Sequence, residues 1–90
     1  MTVEFDKSFE RSLRKLNDRT LKEKLMQVIL KLEETDNLAS VTNIKKLTGF
    51  KEYYRVRIGD YRLGIEALSR DKIRLIVIAH RKDIYSVFPK

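Results

Sequence analysis

The spacing of apolar residues changes partway along this 90-residue chain, and the change limits the folds open to it. Between about Arg19 and Glu34 the apolar side chains recur at helical spacing. They are Leu21, Leu25, Val28, Ile29 and Leu32. From Tyr53 onward apolar and polar residues alternate, which is typical of half-buried strands. A chain whose helices come first and whose strands follow is expected to fold as an α+β domain.

Two helices are predicted near the start of the chain. Asp6 is a suitable N-cap for the first, whose apolar positions are Phe9, Leu13 and Leu16. Asn17-Asp18 interrupts the pattern, and Asp18 is a suitable N-cap for the second helix. The two helices are expected to form an antiparallel hairpin with one apolar face.

The second half predicts a mostly antiparallel sheet of about four strands, packed on the helical hairpin. Gly59-Asp60 and Ser69-Arg70-Asp71 are turn signals between alternating segments. The run from Ile73 to Ala79 is apolar except for Arg74, which indicates a central strand. The short segment from Thr2 to Phe5 is β-prone and is predicted as an edge strand. Residues 1–90 are interpreted as a single domain.

Composition argues against several classes of protein. The chain has no cysteine and a single histidine, His80, and no cluster of carboxylates is visible, so we expect neither a metal site nor a cofactor. No apolar run approaches the roughly 20 residues needed to cross a bilayer, so we expect no membrane contact. No signal-peptide apolar region follows Met1, and the expected location is the cytoplasm.

Positive charge is concentrated in the half that is predicted to form strands. Residues 1–45 contain 9 basic and 8 acidic side chains, whereas residues 46–90 contain 11 and 5. Arg55, Arg57 and Arg62 should share the sheet face that the helices leave open, with only Glu66 nearby to neutralise them. Arginine binds phosphates bidentately, so this face suits RNA. The same pattern is also typical of a solvated sheet face without a ligand, and this alternative stays open.

The segment after the central strand adds three candidates. His80 and Arg81 lie at the strand exit, where functional sites are often built, although a lone histidine is more often structural. Tyr85 follows in an amphipathic tail that is expected to form a short helical turn. The pattern is equally consistent with Tyr85 packing against the helices or pointing into the basic groove.

Two stretches of sequence resemble the RelE/ParE toxin superfamily. The first, Lys46 to Leu63, has the superfamily's K-L-x-G turn, its Y-R-V-R strand and its G-x-Y-R-L hairpin. The second, Val77 to Tyr85, matches its V-x-x-H-R-x-D-I-Y ending. The resemblance extends over essentially all 90 residues, and these motifs are specific to the superfamily more than to one activity within it.

The resemblance implies the toxin of a type II toxin–antitoxin system, an endoribonuclease that cleaves mRNA in the ribosomal A site and inhibits translation. By position, Arg62 matches the family's phosphate-contacting arginine, Arg81 its late basic residue and Tyr85 its C-terminal tyrosine. The expected catalytic residues are Arg62, Arg81, Tyr85 and His80. The expected contacts to RNA or phosphate are Arg55, Arg57, Lys51, Lys82 and Tyr53.

This chain departs from the RelE pattern at two positions. RelE-type enzymes have lysines where Arg55 and Arg57 stand here. A lysine crowded by cations can lose its proton near neutral pH, whereas an arginine cannot. The general base is therefore expected to be Tyr85 or His80.

The expected partners are a co-expressed acidic antitoxin, the ribosome and its mRNA, and operator DNA only through the toxin–antitoxin complex. Two alternatives remain open at this point. One is the ParE branch of the superfamily, which poisons DNA gyrase and cleaves no RNA. The other is a catalytically silent module that binds antitoxin and operator.

Overall fold

The computed structural model describes residues 1–50 and 52–89 and shows an α+β architecture. Its elements, in chain order, are β1 (Thr2–Phe5), α1 (Lys7–Arg14), α2 (Arg19–Glu34), a 3₁₀ turn (Leu38–Ser40), β2 (Ile44–Lys46), β3 (Tyr53–Ile58), β4 (Tyr61–Ser69), β5 (Lys72–His80) and α3 (Ile84–Val87). The helical hairpin, the strand hairpins and the helical turn in the tail are confirmed.

Both long helices begin at the aspartates that the sequence predicts. The side chain of Asp6 accepts a hydrogen bond from the Ser8 amide at 3.1 Å, and that of Asp18 accepts one from the Leu21 amide at 3.1 Å. These bonds satisfy amide groups that have no partner within the helix. No helix in the described ranges is both long and apolar enough to span a membrane.

The sheet has five strands in the order β1-β5-β4-β3-β2, so the prediction of about four was one too low. The additional strand is β2, which has three residues and pairs antiparallel with β3. A strand that short shows no alternation of its own, and its pairing with β3 holds it. β1 is an edge strand as expected, and it runs parallel to β5 while the other pairs are antiparallel.

One face of the sheet packs on the helices and forms the main core. As predicted, this face buries Val56, Ile58, Leu63 and Ile65. The helices contribute Phe9, Leu16, Leu21, Leu25 and Leu32. Each of these side chains is at most 7% exposed. No buried polar or charged residue is found within the described ranges.

The opposite face is not left open to solvent as the sequence suggested. The tail folds back onto it, and Ile84 and Phe88 form a second buried cluster with Leu47 and Val77. The alternation of the strand residues did not show this covering, because it depends on where a distant segment folds. The tail covers the middle of this face. It does not cover the arginines of the sheet near the β3–β4 turn.

Candidate functional site

The β3–β4 hairpin brings three arginines to one end of the tail-covered face. Arg57 lies directly opposite Arg62 in the strand register, and Arg55 lies opposite Gly64. All three arginines are out of phase with residues buried against the helices, so they extend from the other face. The strands meet at a two-residue turn whose first residue, Gly59, has a φ of 59°. Glycine at this position is typical of a type II′ hairpin turn.

Arg81 joins this group through a backbone hydrogen bond. Its amide donates to the Asp60 carbonyl at 2.8 Å, so the exit of β5 is held against the β3–β4 turn. Arg81 is exposed. We refer to Arg55, Arg57, Arg62 and Arg81 as the arginine cluster.

Arg62 is the electrostatic centre of the cluster. Its Nη1 donates to the Tyr61 carbonyl at 2.9 Å and to the Gly59 carbonyl at 3.0 Å, which fixes the guanidinium beside the turn. Burial lowers the pKa of Arg62, and repulsion from the cluster's three other arginines lowers it further. The arginines that the sequence placed together are therefore close enough to interact.

No carboxylate neutralises the arginine cluster within the described ranges. Arg57 has a neutral partner, since its Nη2 donates to the Asn43 Oδ1 at 3.4 Å. Arg55 Nε is buried and has no hydrogen-bond partner. Glu66, the acid expected nearest, lies 4.0 Å from Arg74 instead. A buried, unpartnered N–H beside uncompensated positive charge favours an anionic ligand.

Tyr85 points away from the helices and toward the cluster. It lies on α3 and its side chain is 63% exposed. In its ionised form the Tyr85 side chain raises the pKa of Arg62, against the lowering by the other arginines. It also lines a groove of about 260 Å³ with Arg55 and Lys46. Of the two positions that the sequence left open for Tyr85, the structure has the one in the basic groove.

His80 is not brought into the arginine cluster. It pairs with Tyr61, and the two rings meet edge to face at 5.4 Å. Tyr61 packs against the main core, so the histidine ring lies on the helix side of the sheet. Its Nδ1 accepts a hydrogen bond from the Lys82 amide at 3.2 Å. His80 precedes Arg81 in sequence, yet strand alternation directs it to the other face.

The remaining predicted RNA contacts differ in their surroundings. Tyr53 is half-buried, and its ring meets those of Phe88 and Phe50 edge to face at 5.4 Å and 5.7 Å. Tyr53 therefore packs against the tail. Lys82 is exposed in the turn after β5. Lys51 was also predicted to contact RNA, and it lies outside the described residues.

Asn43 belongs to the site but was missed in the sequence. It precedes β2, has a φ of 65°, and supplies both its backbone carbonyl and its side-chain oxygen to Arg57. Asparagine tolerates such a left-handed conformation, yet no periodic pattern marks this position. Among the described residues no three His, Cys, Asp or Glu side chains converge in a way that could hold a metal ion.

Comparison with known proteins identifies the family. Residues 3–85 match the model of the ParE toxin of type II toxin–antitoxin systems. This chain belongs to the RelE/ParE superfamily of type II toxins. It is 38% identical over 93 residues to Toxin RelE3 of Methanocaldococcus jannaschii, a match that covers 99% of this chain and 100% of the relative.

Solved structures show the same fold. A RelB–RelE antitoxin–toxin complex from Methanococcus jannaschii contains a chain that superposes with a TM-score of 0.79 at 32% identity, covering 96% of this toxin and 99% of that chain. A chain of the intact Escherichia coli RelBE toxin–antitoxin complex superposes with a TM-score of 0.69 at 22% identity, covering 88% of this toxin and 94% of that chain, so the two share the fold.

Proposed function

We propose that this toxin is a ribosome-dependent endoribonuclease that cleaves mRNA in the A site and so inhibits translation. The observation that supports this most directly is the arginine cluster. Four guanidinium groups meet without a carboxylate among the described residues, and the Tyr85 side chain interacts with the central one. Such an arrangement suits a phosphate group whose negative charge increases during reaction.

The proposed reaction is an internal transfer of the phosphate. The 2′-hydroxyl oxygen attacks the adjacent phosphorus, the new O2′–P bond forms, and the P–O5′ bond breaks. The products are a 2′,3′-cyclic phosphate and a free 5′-hydroxyl. One proton leaves the 2′-oxygen and one is delivered to the 5′-oxygen, so the step needs neither water nor a redox partner.

Within this reaction the arginines have two roles, which depend on where each lies in the cluster. Arg62 is held by two carbonyl groups beside the turn, and with Arg81 it stabilises the pentavalent phosphorane. Arg55 and Arg57 hold the RNA backbone. The reaction needs no metal ion in this proposal, because the arginines neutralise the developing charge and would repel a divalent cation.

Tyr85 is assigned the main proton transfer. Arginine stays charged at accessible pH, so Arg55 and Arg57 cannot act as a base as lysines would. Tyr85 is exposed and lines the groove beside Arg55, whereas His80 packs against Tyr61 on the helix side and is given a smaller part. General acid–base help contributes typically 10²–10⁴-fold, so the ribosome is assigned the orientation of the mRNA.

We also propose an acidic antitoxin as the partner of this toxin, with operator DNA bound only through their complex. A relative of 32% identity was solved as a RelB–RelE complex, and this chain has a net charge of +7. An amphipathic antitoxin helix would lie against the helical hairpin or cover the arginine cluster. Pull-down with the neighbouring gene product should show tighter binding at low than at high salt. A basic neighbour, or binding insensitive to salt, would contradict this electrostatic explanation.

Primer extension on mRNA after induced expression tests the activity. The expected result is a set of new 5′ ends inside translated codons, absent from untranslated regions and absent when Arg62→Ala is expressed. The family model that matches is that of ParE toxins, so gyrase poisoning is the rival function. Intact mRNA together with stalled replication would favour that rival and overturn the proposed nuclease. Intact mRNA with normal replication would favour the silent module.

A further inference from the structure

The helix that presents Tyr85 is too short to hold its own shape. α3 has four residues, and isolated helices of that length are unstable in water. Tyr85 itself is 63% exposed, so its own packing contributes little to its position. Ile84, which directly precedes it, and Phe88, three residues after it, are buried, with exposed fractions of 0% and 1%. What holds Tyr85 at the arginine cluster is therefore the packing of its neighbours.

Phe88 packs on a part of the sheet that lacks a side chain. Gly64 lies in the middle of β4, two residues from Arg62 and directly opposite Arg55. A methyl group added at Gly64 would lie 2.8 Å from Cγ of the Phe88 ring and 2.9 Å from Cδ1 and Cδ2. These separations are far below van der Waals contact, so the ring fits only because position 64 is glycine.

A turn or a positive φ does not explain this glycine. Gly64 is paired on both sides, to β3 and to β5, and glycine in a strand interior weakens the strand. It is also buried, next to the part of the sheet that carries the arginine cluster. Glycine inside a strand marks a bulge or the close approach of another group. The β4–β5 register shifts between Gly64 and Ile65, and the group that approaches Gly64 closely is the Phe88 ring.

We propose that Gly64 and Phe88 are a positioning pair for Tyr85. The ring of Phe88 seats on the bare backbone at Gly64 and fixes the tail, so that the Tyr85 hydroxyl stays at the arginine cluster. Neither residue touches the RNA. The proposal rests on the proposed function, because the role of Tyr85 in cleavage is part of it.

Single-turnover cleavage of mRNA on programmed ribosomes tests the pair through a double-mutant cycle. Gly64→Ala should lower the cleavage rate at least tenfold in the parent, with ribosome affinity changed by less than twofold. In a Tyr85→Phe background the same substitution should change the rate by less than twofold, because the hydroxyl it would displace is already gone. An equal loss in both backgrounds, or no loss in the parent, would overturn the proposal.

A compensating substitution separates positioning from general damage. Phe88→Leu shortens the side chain that the new methyl group meets, so Gly64→Ala with Phe88→Leu should cleave faster than Gly64→Ala alone. Phe5→Leu is the matched control, since Phe5 is exposed, lies on the edge strand β1 and packs near Phe9, away from Gly64. It should leave the rate of Gly64→Ala unchanged. Rescue by both leucine variants, or by neither, would contradict a specific Gly64–Phe88 contact.

Hydrogen exchange tests the contact without relying on cleavage. The Phe88 amide donates to the Ile84 carbonyl at 2.8 Å, and its exchange reports whether the tail is seated. Gly64→Ala should accelerate this exchange at least tenfold while amides of the main core keep their protection. If the parent protein cleaves no RNA, the proposed function fails, and this exchange still decides whether Gly64 seats the tail. Unchanged exchange would overturn the positioning pair in either case.

Discussion

The two ends of the tail-covered sheet face use arginine in different ways. At the β1 end, Arg74 lies 3.2 Å from Glu4 and 4.0 Å from Glu66, and Lys72 lies 2.8 Å from Glu4. At the β3–β4 turn, the arginine cluster has only carbonyl and amide partners within the described residues. Positive charge is neutralised at one end and left uncompensated at the other.

This difference separates an ion-paired arginine from arginines that have no acidic partner among the described residues. Arg57 and Arg62 are directly opposite in an antiparallel pair, where like charges are destabilising. The sheet keeps this repulsion at the β3–β4 turn while it neutralises Arg74, which supports the phosphate-binding role proposed for the arginine cluster. The paired end gains little stability, because the side chains of Glu4 and its two partners, Lys72 and Arg74, are between 35% and 44% exposed. These ion pairs leave Lys72 and Arg74 with acidic partners.

The largest expected effect separates the two ends directly. Arg62→Ala should reduce mRNA cleavage by about 10²–10³-fold and abolish toxicity, because it removes a preorganised donor to the phosphorane. Arg74→Ala, on the same face, should cleave within about twofold of the parent. Growth arrest and single-turnover cleavage measure both. An Arg62→Ala variant that melts like the parent and still arrests growth would rule out this role for Arg62.

Tyr85→Phe should have the next largest effect. It removes the hydroxyl and keeps the ring, so the cleavage rate should fall at least tenfold, about 1.4 kcal/mol of barrier, with ribosome affinity nearly unchanged. His80→Gln, on the helix side, should have a smaller effect. The opposite order would exchange the two roles. If both variants cleave at the parental rate, the proton-transfer groups belong to the ribosome or the mRNA.

A smaller effect is expected on the salt dependence of RNA binding. Arg57→Gln should reduce the slope of log K against log salt by about 0.7 for a single-stranded oligonucleotide, the value for one lost phosphate contact. Arg74→Gln removes the same unit charge from a neutralised position and should leave the slope unchanged. Equal slopes for the two variants would mean that net charge, and not the arginine cluster, governs binding.

The smallest expected effect concerns stability at the neutralised end. Hydrogen bonds from Lys72 and Arg74 lower the pKa of Glu4 below its ordinary value of 4.5. The folded state therefore favours ionised Glu4, and this stabilisation is present above pH 4.5 and is lost as the pH falls through the folded pKa. Glu4→Gln should melt slightly below the parent at pH 7, and the gap should close in acid. A gap that widens in acid would contradict this assignment.

Much of the fold could be predicted because its signals are local. The bounds of α2 and the capping roles of Asp6 and Asp18 depend on residues a few positions apart. The β3–β4 hairpin follows from strand alternation and a glycine at the turn, and that hairpin alone places Arg57 opposite Arg62. Half of the arginine cluster was therefore visible in one short stretch of sequence.

The rest of the site depended on contacts between distant segments. His80 was expected beside Arg81 in the site, yet the pairing of β5 with β4 places it against Tyr61. Glu66 was expected near the arginines, and it lies beside Arg74. Alternation within one strand gives the face of a residue, as it does for His80, but the residue's partners depend on the register with the neighbouring strand, which other parts of the fold set.

The sequence alone was enough for the order of helices and strands, the surplus of positive charge and the family motifs. Only the tertiary structure decided which charges stay uncompensated and where Tyr85 lies. The physical reason is how far apart along the chain the interacting residues lie. Helix period, capping and hairpin turns are set by neighbours along the chain, whereas the seating of the tail on Gly64 joins residues 24 positions apart through packing that no local pattern records.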